Sequence, residues 1–306
     1  MVNPMQISQM KFTGLCAFPL TPFNEEGFQE DAFISLIRRL VVAKVNSIGV
    51  LGSTGAYAYL NRQERAQVIE LALEHARGIP VMAGIGALRV RDILLLAEDA
   101  QRLGVQAVML APMSYHKLTE DEVFDLYKTV TDHLSIPLCI YDNPGTTNFK
   151  FTDELLAQIA QLPFVRSIKI PPISAYLPDA KKRVDSLRKG IPSEVSIGIS
   201  GDWSGLDGLR AGCDLWYSAI GGLIPETLMD IVHTANQGDF ELADRTFQDM
   251  EVILDMFRRY GSIRVIACAA KELGIVNNFC LPPPLKPLPE VEQSLLRALI
   301  HELQPA

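Results

Sequence analysis

The side chain in this sequence best suited to covalent chemistry is Lys169, in the stretch Val165-Arg166-Ser167-Ile168-Lys169-Ile170 that runs into Pro171-Pro172. The stretch reads as a buried strand of a parallel sheet, being short, rich in β-branched residues and closed by breakers. Side chains alternate along a strand, so Val165, Ser167 and Lys169 share one face, and Ile168 and Ile170 share the other. An ammonium near the end of a mostly apolar strand is costly unless it is paired, neutral or chemically employed. Taken alone, the stretch favours the plainer alternative, in which Lys169 closes the strand and snorkels to water.

Further polar groups fall at comparable places. In Gly52-Ser53-Thr54-Gly55, the glycines permit close backbone approach, and two hydroxyls with free N–H groups suit a carboxylate or phosphate. The plain alternative there is a simple turn. Tyr141 shares a face with Cys139, so an inward-looking face would aim its phenol at the same end as Lys169. Otherwise it packs with its hydroxyl on a backbone carbonyl. Met113-Ser114-Tyr115-His116 is a polar-aromatic loop open to a role as lid, interface or surface. Asp202, after Gly201, fits a helix cap or a substrate contact equally.

The elements that must position these groups follow from the hydrophobic pattern. Short β-type runs occur at 14–20, 47–52, 80–86, 107–112, 137–143, 165–170, 195–201 and 215–222. Helical patterns at 28–44, 62–77, 90–103, 119–134, 152–161, 174–188 and 203–211 alternate with them. Thr119 with Glu122 forms a capping box, and Thr152 with its acidic neighbours forms a second helix start. Eight alternations predict an α/β fold, a (β/α)8 TIM barrel over residues 1–224. A doubly wound open sheet is the alternative, weakened because Gly84-Ile85-Gly86 lacks the third glycine of a dinucleotide fingerprint. Residues 225–306 form a C-terminal helical extension, with helices at 225–236, 240–260, 262–273 and 290–303. In such a barrel the site lies at the carboxyl ends of the strands, where Ser53, Thr54, Tyr141 and Lys169 would meet.

Composition narrows the function classes. With 306 residues, 48% of them hydrophobic and 21% charged, a large core is available and disorder is not expected. A net charge of −8 disfavours nucleic acid and anionic lipid as partners. The five cysteines form no CxxC pair and the five histidines no ligand spacing, so no metal or cofactor is expected. No apolar run of about 18 residues marks a membrane span, and Met1 to Met10 carries no signal-peptide pattern. A soluble cytoplasmic protein is expected.

A barrel-end lysine, a tyrosine one strand earlier and a hydroxyl-rich cradle together point to Schiff-base chemistry. A lysine amine condenses with a ketone, and the protonated imine draws electrons from the neighbouring carbon. The attacking amine must be unprotonated, a form that burial favours, and a phenol can carry protons among the intermediates.

The chain resembles the dihydrodipicolinate synthase / N-acetylneuraminate lyase family of pyruvate-dependent class I aldolases. The resemblance rests on Phe12-Thr13-Gly14 through Thr21-Pro22-Phe23, Gly52-Ser53-Thr54-Gly55, Tyr141-Asp142-Asn143-Pro144, Ser167-Ile168-Lys169 and Ala270-Lys271-Glu272-Leu273-Gly274. It is collinear over nearly the whole chain. It implies that Lys169 forms the imine with pyruvate or another 2-keto acid and that Tyr141 shuttles protons. It also implies that Gly52, Ser53, Thr54 and Gly55 hold the carboxylate, with Thr54 linked into the tyrosine relay. Tyr115 matches, one residue out of step, the tyrosine that many members lend across a dimer interface. A homotetramer, a dimer of dimers, is implied as well.

Three departures stand out. Thr146 occupies the position where synthases of the lysine pathway carry an arginine for the second substrate's carboxylate, and a hydroxyl cannot make that bidentate pair. Ala56 replaces a common glutamate, and Pro171-Pro172 stiffens the turn after the lysine. The expectation is therefore an imine-forming lyase or synthase with an aldehyde-type second substrate different from that of the lysine pathway. Dehydration or deamination of a 2-keto acid through the same enamine is the nearest alternative. A non-catalytic keto-acid-binding paralogue and a phosphate-binding barrel enzyme using Gly221-Gly222 are the others.

Overall fold

The computed structural model describes residues 11–24 and 27–303, so the expectation for Met1 to Met10 lies outside the described residues. Its centre is a closed barrel of parallel strands. These are β1 (Gly14–Ala17), β2 (Ser47–Val50), β3 (Val81–Gly84), β4 (Ala107–Leu110), β5 (Leu138–Tyr141), β6 (Val165–Ile170), β7 (Ser196–Ile199) and β8 (Leu215–Ser218). Strand β1 pairs with β2 on one side and β8 on the other, which closes the ring and rules out the open doubly wound sheet.

All eight predicted strands are present, and all but Val165–Ile170 end earlier at their carboxyl ends. Beyond those ends the chain leaves the ladder to build the mouth. After β2, for example, Leu51 takes φ +58° and turns the chain across the barrel end before Gly52 is reached. A helix follows each of the first seven strands. Thr119 and Thr152 cap theirs as expected: Thr119 Oγ1 accepts the Glu122 N–H at 3.3 Å, and Thr152 Oγ1 accepts the Leu155 N–H at 3.2 Å.

Two side-chain populations divide the core. Residues such as Ile168, Ile170, Ile197 and Ile199 point outward and pack under the helices. Cys16, Phe18, Met109, Cys139, Tyr141 and Tyr217 form a separate cluster inside the barrel. The inward face of β6 carries Ser167 and Lys169, both buried.

Three features depart from the expected elements. A short hairpin pairs Phe23 with Phe28 before the first helix, Glu30–Val42. A one-turn helix, Pro144–Thr147, follows β5 and carries Thr146. The expected single helix at 240–260 is two, Phe240–Gln248 and Glu251–Tyr260, because the turn tightens where Met250 N–H reaches the Phe247 carbonyl at 3.1 Å. The remaining C-terminal helices are Pro225–Asn236, Ser262–Glu272 and Glu290–Ile300.

Candidate active site

Lys169 lies opposite Tyr141 on β5 and Gly198 on β7 in the sheet register. Gly198 is required there, since a Cβ would meet the Tyr217 ring at 2.3 Å. The lysine side chain is only 6% exposed, so it does not snorkel to water, and the plainer alternative fails. Its Nζ sits 4.2 Å from the centre of the Phe18 ring, 4.3 Å from that of Tyr141 and 5.6 Å from that of Tyr217. Among the described residues no carboxylate pairs with it. Three aromatic faces replace a counter-ion, each supplying about 0.5–2 kcal/mol toward a cation.

Below the amine the barrel interior holds a hydrogen-bonded polar layer. Cys139 Sγ donates to Tyr217 Oη at 3.4 Å, Tyr217 Oη lies 2.6 Å from Ser167 Oγ, and Ser167 Oγ donates to the Ser196 carbonyl at 3.2 Å. Burial pushes the Cys16 thiol up to about 12 and the Cys139 thiol up to about 11, with Lys169 nearby pulling the other way. Burial likewise raises the Tyr217 phenol well above its ordinary value. These groups stay protonated at neutral pH, and the thiols are poor nucleophiles in that state.

Above the amine lies a cavity of about 230 Å³, bordered by Lys169, Phe18, Tyr141, Ser53, Thr54 and Asn143 on its deeper side. The Tyr141 hydroxyl is held at 2.8 Å by the Asn143 amide, which donates to it, and lies 3.3 Å from Ser53 Oγ. Ser53, not Thr54, therefore touches the phenol. Thr54 Oγ1 turns instead to Ser262 Oγ, at 2.8 Å. Neither the Ser53 nor the Thr54 backbone N–H donates to any described residue. Gly52 packs against Phe18 and Gly55 against Leu51 and Thr21, so both set the path of the loop that presents Ser53 and Thr54.

The expected site residues divide accordingly. Lys169, Tyr141, Ser53, Thr54 and Thr146 border one cavity. Tyr115 does not: it is 87% exposed on the loop after β4 and stacks edge-on against His116 at 5.2 Å. Asp202 neither caps its helix nor offers a free oxygen. Its carboxylate accepts from Trp216 Nε1 at 3.0 Å, Ser218 Oγ at 2.6 Å, and the N–H groups of Ala219 and Ile220 at 3.0 and 3.1 Å. Burial pushes that carboxyl upward while the four donors pull it back. The Gly221 N–H is bound to Ser218 Oγ at 2.8 Å. Three backbone donors that a phosphate would need after β8 are thus spent internally, which removes the support for a phosphate-binding barrel.

The model of the dihydrodipicolinate synthetase family matches residues 11–303. The chain belongs to that family. It is 40% identical to the solved dihydrodipicolinate synthase of Agrobacterium tumefaciens strain C58, over 97% of this chain and 100% of that one, with a TM-score of 0.92. Two curated 4-hydroxy-tetrahydrodipicolinate synthases are also similar at 28% identity. That of Nitrobacter hamburgensis aligns over 96% of this chain and 98% of its own length. That of Thermotoga maritima aligns over 95% and 98%.

The family motif residues account for the deeper half of the cavity. Sequence reasoning missed Phe18, Tyr217 and Ser262. Tyr217 alternates inward on β8 as Tyr141 does on β5, and Phe18 keeps the inward phase of Cys16 one residue past β1, so a face-by-face reading of every strand end would have found them. Nothing local to Ser262 marks its contact with Thr54.

Proposed function

We propose that the protein is a lyase or synthase of the class I aldolase type, forming an imine between Lys169 and pyruvate or a related 2-keto acid. The observation that carries this reading is a buried amine with no carboxylate partner among the described residues, packed among aromatic rings beneath a cavity and beside a hydrogen-bonded tyrosine hydroxyl. The amine attacks the keto carbon, and water leaves as the carbinolamine becomes an imine. The protonated imine withdraws electrons from the adjacent carbon, which loses a proton to give an enamine. Attack of that carbon on an aldehyde forms the new bond, and the reverse sequence cleaves it. Tyr141 carries the protons, with Ser53 and Asn143 fixing its hydroxyl. The hydroxyls and free N–H groups of Ser53 and Thr54 receive the keto acid's carboxylate.

The second substrate differs from that of lysine-pathway synthases, because Thr146 borders the cavity where the bidentate arginine would stand. The exposed Tyr115 loop supports assembly into a homotetramer of paired dimers, to be checked by analytical ultracentrifugation. Five free cysteines fit a reducing compartment such as the cytoplasm. Among the described residues no helix is long and apolar enough to cross a membrane.

Enamine formation exchanges the methyl protons of pyruvate for deuterium in D2O, whatever the second substrate. Wild-type protein is expected to catalyse that exchange and Lys169→Ala to abolish it. Pyruvate left unexchanged by the wild type would favour a keto-acid-binding protein without catalysis.

A further inference from the structure

The outer half of the cavity is a wall that the barrel loops do not build alone. Phe257 and Ser262 enter it from the C-terminal helices, Trp203 from the loop after β7, and Thr146 and Pro172 from the loops after β5 and β6. Gly261 joins the helices Glu251–Tyr260 and Ser262–Glu272 with φ 78° and ψ 150°, a backbone region populated essentially by glycine. That turn brings Ser262 Oγ to Thr54 Oγ1 and seats Phe257, 3% exposed, beside them. The C-terminal helices are thereby a structural part of the site rather than an appendage.

The charges of this cavity are few. Of the residues that border it, only Lys169 and Asp202 are formally charged. Asp202 spends its carboxylate on four donors. Lys169 is consumed as the imine nitrogen, beside the first substrate's own carboxylate. Arg258 stacks over the Trp203 ring at 5.7 Å and lies 3.8 Å from Asp255, and it does not border the cavity. A second anionic group entering here would lose its water and find no cation. An apolar or flat group would meet Trp203, Phe257 and Pro172, with the hydroxyls of Thr146 and Ser262 at the edge.

We infer that this wall is an acceptor subsite for an uncharged aldehyde with a flat or apolar tail, an inference that rests on the imine reading of Lys169. The enamine carbon bonds to the aldehyde carbon, the aldehyde oxygen takes up a proton, and water hydrolyses the imine. The product is a 4-hydroxy-2-keto acid, and the amine is regenerated.

The test uses the whole protein with pyruvate and one of two aldehydes, benzaldehyde or the carboxylate-bearing succinic semialdehyde, after borohydride trapping of pyruvate alone. Trapping on Lys169 followed by a kcat/KM at least about tenfold higher for benzaldehyde is expected; tenfold is the scale of one aromatic contact. Trp203→Leu and Phe257→Leu should each raise the KM for benzaldehyde about tenfold while trapping proceeds. Thr146→Arg should shift the preference toward succinic semialdehyde. Absence of a trapped adduct overturns the imine reading, and the acceptor subsite with it. A trapped adduct overturns the subsite alone in any of three cases: succinic semialdehyde is used as well as benzaldehyde, neither aldehyde is consumed, or both leucine variants keep the wild-type KM.

Discussion

Replacing Asp142 by asparagine is expected to stabilise the protein at neutral pH and to lose that advantage in acid. Asp142 follows Tyr141 directly, and its backbone N–H donates to the Lys169 carbonyl at 3.0 Å, so it ties β5 to β6 at the site. Its carboxyl is 3% exposed, and Oδ1 has no hydrogen-bond partner among the described residues. Burial pushes the carboxyl from 3.8 up to about 6; the charges of Arg183 and Lys150 and a bond from the Phe151 backbone oppose the shift. A carboxyl raised in the folded state binds protons that the unfolded chain has already released. Its contribution is therefore unfavourable above the folded value and vanishes below the unfolded one. At about 1.36 kcal/mol per pH unit, that rise costs about 3 kcal/mol once the group is ionised. The amide that Asp142→Asn introduces has no such charge to desolvate. Urea unfolding from pH 4 to pH 8 measures the effect. The stability difference, variant minus wild type, should grow by about 2–3 kcal/mol between pH 4 and pH 7. A difference that is constant with pH, or that shrinks as pH rises, would refute the reasoning.

Other perturbations have equally definite outcomes. Tyr141→Phe removes the proton carrier and should lower turnover about a hundredfold or more, with circular dichroism unchanged; wild-type turnover would exclude the role. Lys169→Met removes the amine and should abolish pyruvate exchange while circular dichroism stays unchanged; retained exchange would exclude the imine role. Asp202→Ala leaves four donors without their acceptor and should destabilise by about 3 kcal/mol or more, read by thermal unfolding. A loss below about 1 kcal/mol would mean that water replaces the carboxylate.

The barrel was legible because its signals are local and repeated. Each strand is a short apolar run, each helix carries its own period, and Thr119 and Thr152 mark helix starts that the structure reproduces. Lys169 and Tyr141 were legible in two steps: alternation along β5 and β6 groups each with its face-mates, and the eight-strand pattern then places both at one barrel end. The outer half was legible only where barrel loops build it, at Thr146 and Pro172, and not where the C-terminal helices enter. Thr54 and Ser262 meet across 208 positions, and that meeting depends on how the C-terminal helices dock. Of the two readings open for Asp202, a cap and a substrate contact, the cap is not made. Before a helix an aspartate suggests a cap, but here the neighbouring strand end offers four donors, and burial makes satisfying them the stronger demand.

The central claim is that Lys169 is the imine-forming nucleophile, and chemical trapping tests it most directly. Protein incubated with pyruvate and borohydride, then digested and mapped by mass spectrometry, should carry the reduced pyruvate adduct on the peptide containing Lys169. Lys169→Ala should carry none. Wild-type protein without an adduct, or with the adduct on another lysine, would contradict the account.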